Sequence, residues 1–366
     1  YHQRGIRGLN VESTKMWGIN GPADYLFMKM AWDSSLDWKE VLRNYCEKSF
    51  GAGAPHMEKY LLRLVKTQHQ AGQEAGSYHA IHLIFDDQFV NDSLQDLTEA
   101  NKAAKKTGDR TRIQYIRTGV EMLKRYLHYH QTSLTFDFQK TQTAFQNIQA
   151  YWKTCYDENT DVVSNEAEYY LRRFLQKFVD EGVKYSTGDY RMIHPIPDQL
   201  KTMFDPNVVG HRMSYHRPEI NDSQFITTRT ISTTWDAQGL TGIRSGAVWY
   251  RHHFELPKDA KDQPIGLFIG GVEDEARVWI NGHMIGTSGR GFSRPFLFDL
   301  TDHIHYQSDN LLAIQIIRNS KANEIGLGGL IRPSFLFTGP RLENKAPKAL
   351  ELRRVLPGGG LGELEK

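Results

Sequence analysis

The hydrophobic period of this chain changes once, near Gly182, and that break limits what the sequence can fold into. Before it, apolar side chains recur three and four residues apart: Tyr25, Met28 and Trp32, then Val41, Leu42, Tyr45 and Phe50, then Met57, Tyr60, Leu61, Leu64 and Val65. Ile113, Ile116, Val120, Leu123 and Leu127 repeat the pattern. That spacing lines one face of an α-helix. Pro22 suits a first helical turn, and Asp37 with Glu40 three residues on forms a capping box before a helix that Gly51 ends. Further helices are expected over 56–70, 90–106, 110–131, 138–155 and 166–181. After Gly182, Pro195, Pro197, Pro206 and Pro218 interrupt every period, so 182–222 is expected to be a linker.

From residue 223 the texture is different. Eight short runs rich in β-branched and aromatic residues, at 226–232, 247–256, 265–269, 276–280, 283–286, 296–300, 311–318 and 331–338, are separated by Gly and Asn turns. So many short strands predict an antiparallel β-sandwich or jelly roll over 223–340. Asn281-Gly282 sits between two alternating runs, and this pair is the preferred two-residue hairpin turn because both residues accept positive φ. The segment 341–366, with Gly358-Gly359-Gly360 inside it, is expected to be a tail. At the other end, 5–11 predicts a short buried strand, with Glu12 just past its end.

Charge and composition remove several function classes. Lys plus Arg number 45 and Asp plus Glu 43, so the net charge of +2 creates no general field for nucleic acid or anionic membranes. No apolar stretch reaches the roughly 20 residues of a membrane span. Cys46 and Cys155 are too few and too far apart for a disulfide framework or a structural zinc site. Because the sequence starts at Tyr1 without a Met, it is expected to be a C-terminal fragment.

Two stretches resemble known families. Gly246-Ala247-Val248-Trp249-Tyr250-Arg251-His252-His253-Phe254, then Gly270-Gly271-Val272 with Ala276-Arg277-Val278-Trp279-Ile280-Asn281-Gly282, then Pro295-Phe296-Leu297-Phe298-Asp299-Leu300 and Asn310-Leu311-Leu312-Ala313-Ile314 follow in order. Over about 226–340 they resemble the galactose-binding-like jelly roll attached to bacterial β-galactosidases and related glycosidases. Such a module either holds a sugar at its loops or braces a catalytic domain, and both readings stay open. Trp279 and Phe298 alternate with polar neighbours and are expected in the core. Trp235, Trp249, Tyr250 and Arg290 are the candidate sugar face, since aromatic rings stack on pyranose rings and Arg binds hydroxyls; packing and a solvated charge are the alternatives.

The second stretch, Gly8-Leu9-Asn10-Val11-Glu12, Trp17-Gly18, Tyr25-Leu26 and Lys29-Met30-Ala31-Trp32-Asp33, over about 5–75, resembles the last strand and following helices of α-glucuronidase-like bacterial glycosidases. The resemblance implies that 1–20 closes a (β/α)-barrel, ahead of a helical region over 21–181. Barrel sites lie at the carboxyl ends of the strands, which puts Glu12 at the rim of a catalytic site with Trp17 beside the substrate. Glycosidases need two carboxylates; the others would lie upstream of Tyr1, so this chain alone is expected to be inactive. Glu12 could instead cap a helix or pair with Arg7 or Lys15, and Asp33 and Asp37 read as helix caps.

The expectation is therefore a multidomain α plus β chain: the last strand of a barrel, a helical region, a linker and an antiparallel sandwich. The function expected is a C-terminal portion of a glycoside hydrolase acting on an oligo- or polysaccharide; the alternative is a non-catalytic carbohydrate-binding protein. No cofactor and no metal is implied. His128 and His130 lie two apart on a helix, His252 and His253 face opposite sides of a strand, and Gly286, Gly289 and Gly291 lack the Gly-Lys-Ser/Thr of a phosphate loop. The family resemblance implies a periplasmic or extracellular location.

Overall fold

The computed structural model describes residues 8, 16–71, 80–160, 162–163, 168–169, 171–240, 246–272, 275–289, 294–318 and 329–342. The strand expected at 5–11, Glu12 and all of the tail beyond 342 lie outside the described residues, apart from Gly8.

The helical period folds as expected. Helices α1 (Trp17–Trp32), α2 (Trp38–Phe50), α3 (Ala54–Ala71), the one-turn α4 (Ile81–Ile84), α5 (Asp87–Ala103), α6 (Thr107–Leu134) and α7 (Phe138–Glu158) follow one another. A π-helical turn (Leu171–Gln176) then runs into α8 (Lys177–Ser186). Short polar side chains start them: Asp37 accepts from the Lys39 amide at 2.8 Å, Asp86 from Phe89 at 2.7 Å and Asp137 from Lys140 at 3.0 Å, satisfying amides that have no partner inside the helix. Asp33 lies just past the end of α1, where its carboxylate accepts from the Ser35 amide and hydroxyl. Leu42, Cys46, Phe50, Met57, Leu61, Leu97, Ile113 and Val120 form the core of α2, α3, α5 and α6. Among the described residues no helix is long and apolar enough to cross a membrane.

The β region is an antiparallel sandwich. One sheet has the order β1 (Arg191–Pro195), β10 (Phe335–Thr338), β5 (Ile265–Ile269), β8 (Phe296–Asp299). The other has the order β3 (Ile226–Arg229), β2 (Gln199–Asp205), β4 (Gly246–Phe254), β9 (Asn310–Arg318), β6 (Glu275–Ile280), β7 (His283–Thr287). The linker expectation for 182–222 is therefore corrected: β1 and β2 lie inside it and each belongs to a sheet. The prolines mark strand ends instead, with Pro195 closing β1 and Pro206 following β2. The Asn281-Gly282 turn forms with φ of 50° and 84°, both positive as a two-residue hairpin requires.

Between the sheets, Val248, Tyr250, Ile265, Leu267, Ile269, Val278, Ile280, Ile314, Ile316 and Leu336 make one core. The other faces are covered as well. On the four-stranded sheet, Phe268, Phe335 and Phe337 pack against Phe138 and Phe145 of α7 and Phe178 and Tyr185 of α8. Two glycines permit this contact, because a Cβ at Gly266 would strike the Phe337 ring and one at Gly182 would strike Phe138. Strand β5 is thus buried along its whole length, like a strand of a doubly covered sheet.

Candidate functional site

The outer face of the six-stranded sheet carries the Trp of the β4 motif, and a strap formed by 206–225 lies over it. Trp249 donates from Nε1 to Asp205 Oδ2 at 3.0 Å, while both Asp205 oxygens accept strap amides, Val209 at 2.8 Å and Gly210 at 2.7 Å. Gly210 has no room for a Cβ, which would meet the Trp249 indole and Tyr215. Arg251, 1% exposed, fastens the strap further along. Its guanidinium donates to the carbonyls of Tyr215 (2.7 Å), Arg217 (2.9 Å) and Ile220 (3.1 Å) and to Asp222 at 3.3 Å. Beneath the strap, the His216 ring lies 5.7 Å from Trp279, and burial lowers its pKa to about 4, reinforced by the charges of His211 and Arg217.

This explains where the aromatic candidates go. Trp249 and Tyr250 are 0% and 1% exposed, one under the strap and one between the sheets; Trp235, also 1% exposed, donates to the Tyr250 hydroxyl at 3.2 Å. None offers a ring face to a pyranose, so the geometry gives all three a packing role. Alternation placed one of Trp249 and Tyr250 outward, and the strap then buried the outward one. Phe298 joins the core between the sheets, whereas Trp279, on the outward face between Val278 and Ile280, is buried under the strap with its ring 5.0 Å from Trp249. Trp17 opens α1, but its side chain, like Glu12 and Arg290, lies outside the described residues.

A group of part-exposed polar side chains lies at the end of the six-stranded sheet where β4 and β6 begin and β7 and β9 end. There Arg277 donates to Glu275 Oε1 at 3.2 Å, the Thr287 hydroxyl donates to the same oxygen at 3.3 Å, and Ser288 Oγ accepts the Ala276 amide at 2.8 Å. Both charged side chains are about one quarter exposed (23% and 25%). Arg290 follows two residues after Ser288 in sequence. A guanidinium beside a carboxylate and a hydroxyl can exchange hydrogen bonds with sugar hydroxyls. The pattern of the sequence did not single out Glu275, Arg277 or Thr287, because on an alternating strand they resemble any solvent-facing set.

Three part-buried carboxyl groups with shifted pKa values, Asp198, Asp299 and Glu181, lie away from this end of the sheet. Burial pushes the Asp198 carboxyl up, but hydrogen bonds from Ser232, Arg229 and Thr230 outweigh that and hold it below the usual range. Asp299 behaves in the same way through Thr301 and Arg341. Burial raises the Glu181 carboxyl, but Glu181 lies on α8 and pairs with Lys177 at 3.4 Å. Among the described residues no group of three or more His, Cys, Asp or Glu could hold a metal ion.

A small cavity of about 30 Å³ opens where the helices meet the sandwich, lined by His82, His130, Tyr129, Ser133 and Arg332 among others. Its size suits a water molecule, against the roughly 300–1,000 Å³ of a small-molecule cleft. His82 and His130 stack at its wall, centroids 3.7 Å apart, and His82 bonds across the junction to the Ser232 carbonyl at 3.2 Å.

The sandwich region has counterparts among glycosidases in sequence. Residues 210–322 match the family model of the beta-galactosidase second all-beta domain. Bacterial glycosidases share parts of the chain. The beta-glucuronidase of Formosa agariphila is 42% identical over 71 residues, covering 19% of this chain and 7% of the relative. The beta-galactosidase large subunit of Lactobacillus acidophilus is 36% identical over 93 residues, covering 25% and 14%, and that of Latilactobacillus sakei 34% identical over 131 residues, covering 34% and 20%. The chain thus spans at most a fifth of the length of these relatives. Among solved structures, the Ruminococcus gnavus beta-glucuronidase aligns at 21% identity and a TM-score of 0.36, over 42% of this chain and 30% of that one. The glycosidase resemblance carried by the strand motifs is therefore met by independent relatives.

Proposed function

We propose that this chain is a portion of a glycoside hydrolase of the β-galactosidase and β-glucuronidase kind, in which the sandwich is an accessory module that contacts carbohydrate at its Glu275–Arg277 end. The match of 210–322 to a β-galactosidase domain carries the reading, and the part-exposed polar group at that end supports it. Hydrolysis is assigned to the longer enzyme, with Glu12 at the rim of a barrel site and Trp17 beside the sugar. Arg290 adds a donor to the sandwich site.

The test uses the full chain. Oligosaccharides ending in β-linked galactose or glucuronic acid are titrated against it by calorimetry, and the chain is incubated with chromogenic β-galactosides and β-glucuronides. Saturable binding that is lost in Arg277→Ala or Arg290→Ala, without turnover, is the expected result. Absence of binding would reduce the sandwich to a brace. Turnover by the chain itself would overturn the assignment of hydrolysis to residues outside it. The second reading, a non-catalytic carbohydrate-binding protein, is supported by the match of 210–322 to an all-beta domain rather than to a catalytic one.

A further inference from the structure

We infer that His194 and His252 form a proton-operated latch between the two sheets, which holds while at most one of the imidazoles is charged and opens when both are. His194 is on β1 of the four-stranded sheet and His252 on β4 of the six-stranded one, and their Nε2 atoms meet between the sheets at 2.9 Å. The ring centroids are 5.2 Å apart and the planes 26° from parallel. That separation is little more than the nitrogen gap plus the two half-widths of an imidazole, so the rings point at each other in line. Along β4 the inward positions Val248, Tyr250 and Phe254 join the core, and His252 occupies the position between Tyr250 and Phe254 where an apolar residue is expected. The Phe254 ring lies beside both imidazoles, at 5.2 and 5.7 Å.

The chemistry of the pair sets the switching step. Two neutral imidazoles carry one N–H each, and the bond needs a proton on one Nε2 and a lone pair on the other. The first added proton can settle on Nδ1 of the donor ring, leaving N–H···N intact and charge-assisted. The second must occupy the accepting Nε2, which sets two N–H groups face to face at a part-buried position between the sheets. The surroundings give that second charge little support. His252 is opposite Leu312 on β9 and His194 opposite Leu336 on β10. The charged groups nearby are His253 on the same strand and Asp309 before β9, and Asp309 is already bonded to His253 at 2.6 Å. Arg191 of β1 is tied to Asp259 at 3.0 Å. Burial lowers both imidazoles, His252 to about 4 with help from the charges of His194 and His253.

The experiment follows amide hydrogen exchange of β1 in the full chain from pH 7 to pH 4.5, corrected for intrinsic rates, in the native protein and in His194→Phe/His252→Phe. A loss of β1 protection of at least tenfold in the native chain, with less than twofold in the double variant, is expected. Equal losses in both would overturn the latch. If the double variant does not fold, NMR titration of the native histidines decides: two steps separated by more than two pH units, the lower coinciding with β1 opening, support it. Both rings titrating together near their ordinary value would overturn it.

Discussion

Replacing His130 with Phe should flatten the acid sensitivity of this protein by an amount the structure fixes. His130 lines the junction cavity and stacks on His82, and burial, with the charge of His82 adding to it, depresses its pKa from 6.5 to about 3. The folded protein therefore keeps this imidazole neutral while the unfolded chain takes up a proton. A depressed histidine stabilises the fold above the unfolded value, and that stability is lost as pH falls from about 6.5 towards 3. Between pH 7 and pH 5 the unfolded chain becomes almost fully protonated at this site, which costs the native state about 2 kcal/mol by proton linkage. Phenylalanine keeps a flat ring against His82, has the small cavity to expand into, and does not titrate. Urea unfolding at pH 7 and pH 5, followed by tryptophan fluorescence and circular dichroism, should show the native chain losing about 2 kcal/mol more than His130→Phe across that interval. His216 and His252 also lose their protons' worth of stability in this range, so the difference between the two proteins, not the absolute loss, is the measured quantity. A native chain and variant that lose the same amount would show that His130 is protonated in the fold and that the junction is not sealed from water.

Two packing contacts give further tests. Gly182→Ala places a methyl against the Phe138 ring where α7 and α8 meet, and overpacking of this kind should destabilise by about 1–3 kcal/mol, seen as a lowered thermal midpoint. Arg251→Met fills a similar volume but leaves three strap carbonyls without their donor; a loss of about 3 kcal/mol or more and faster proteolytic cutting within 206–225 are expected. Unchanged cutting would mean that the strap is held by Asp205 alone.

What was legible in the sequence is what depends on near neighbours. The Asp37 cap, the helical periods and the Asn281-Gly282 hairpin are local, and each is present. The strands β1 and β2 were not legible, because they pair with partners far along the chain, such as Met192 with Phe337, and sit among prolines that locally suggest a linker. The aromatic candidates failed for a related reason. Alternation tells which side of a sheet a residue faces but not whether a strap covers that side, and Arg251 holds the strap through backbone carbonyls, which no side-chain pattern encodes. The His194–His252 contact joins residues 58 apart, and sequence inspection separated His252 from His253 correctly without supplying its partner.

The aromatic wall of Phe268, Phe335 and Phe337 has a consequence for anyone wishing to move this sandwich elsewhere. Severed at the start of β1, the sheets would turn three phenylalanine rings into water and leave β5 with a naked greasy flank, inviting aggregation. The sandwich is thus not a portable cassette: a graft that works must bring α7 and α8 with it, or repaint that wall with polar side chains.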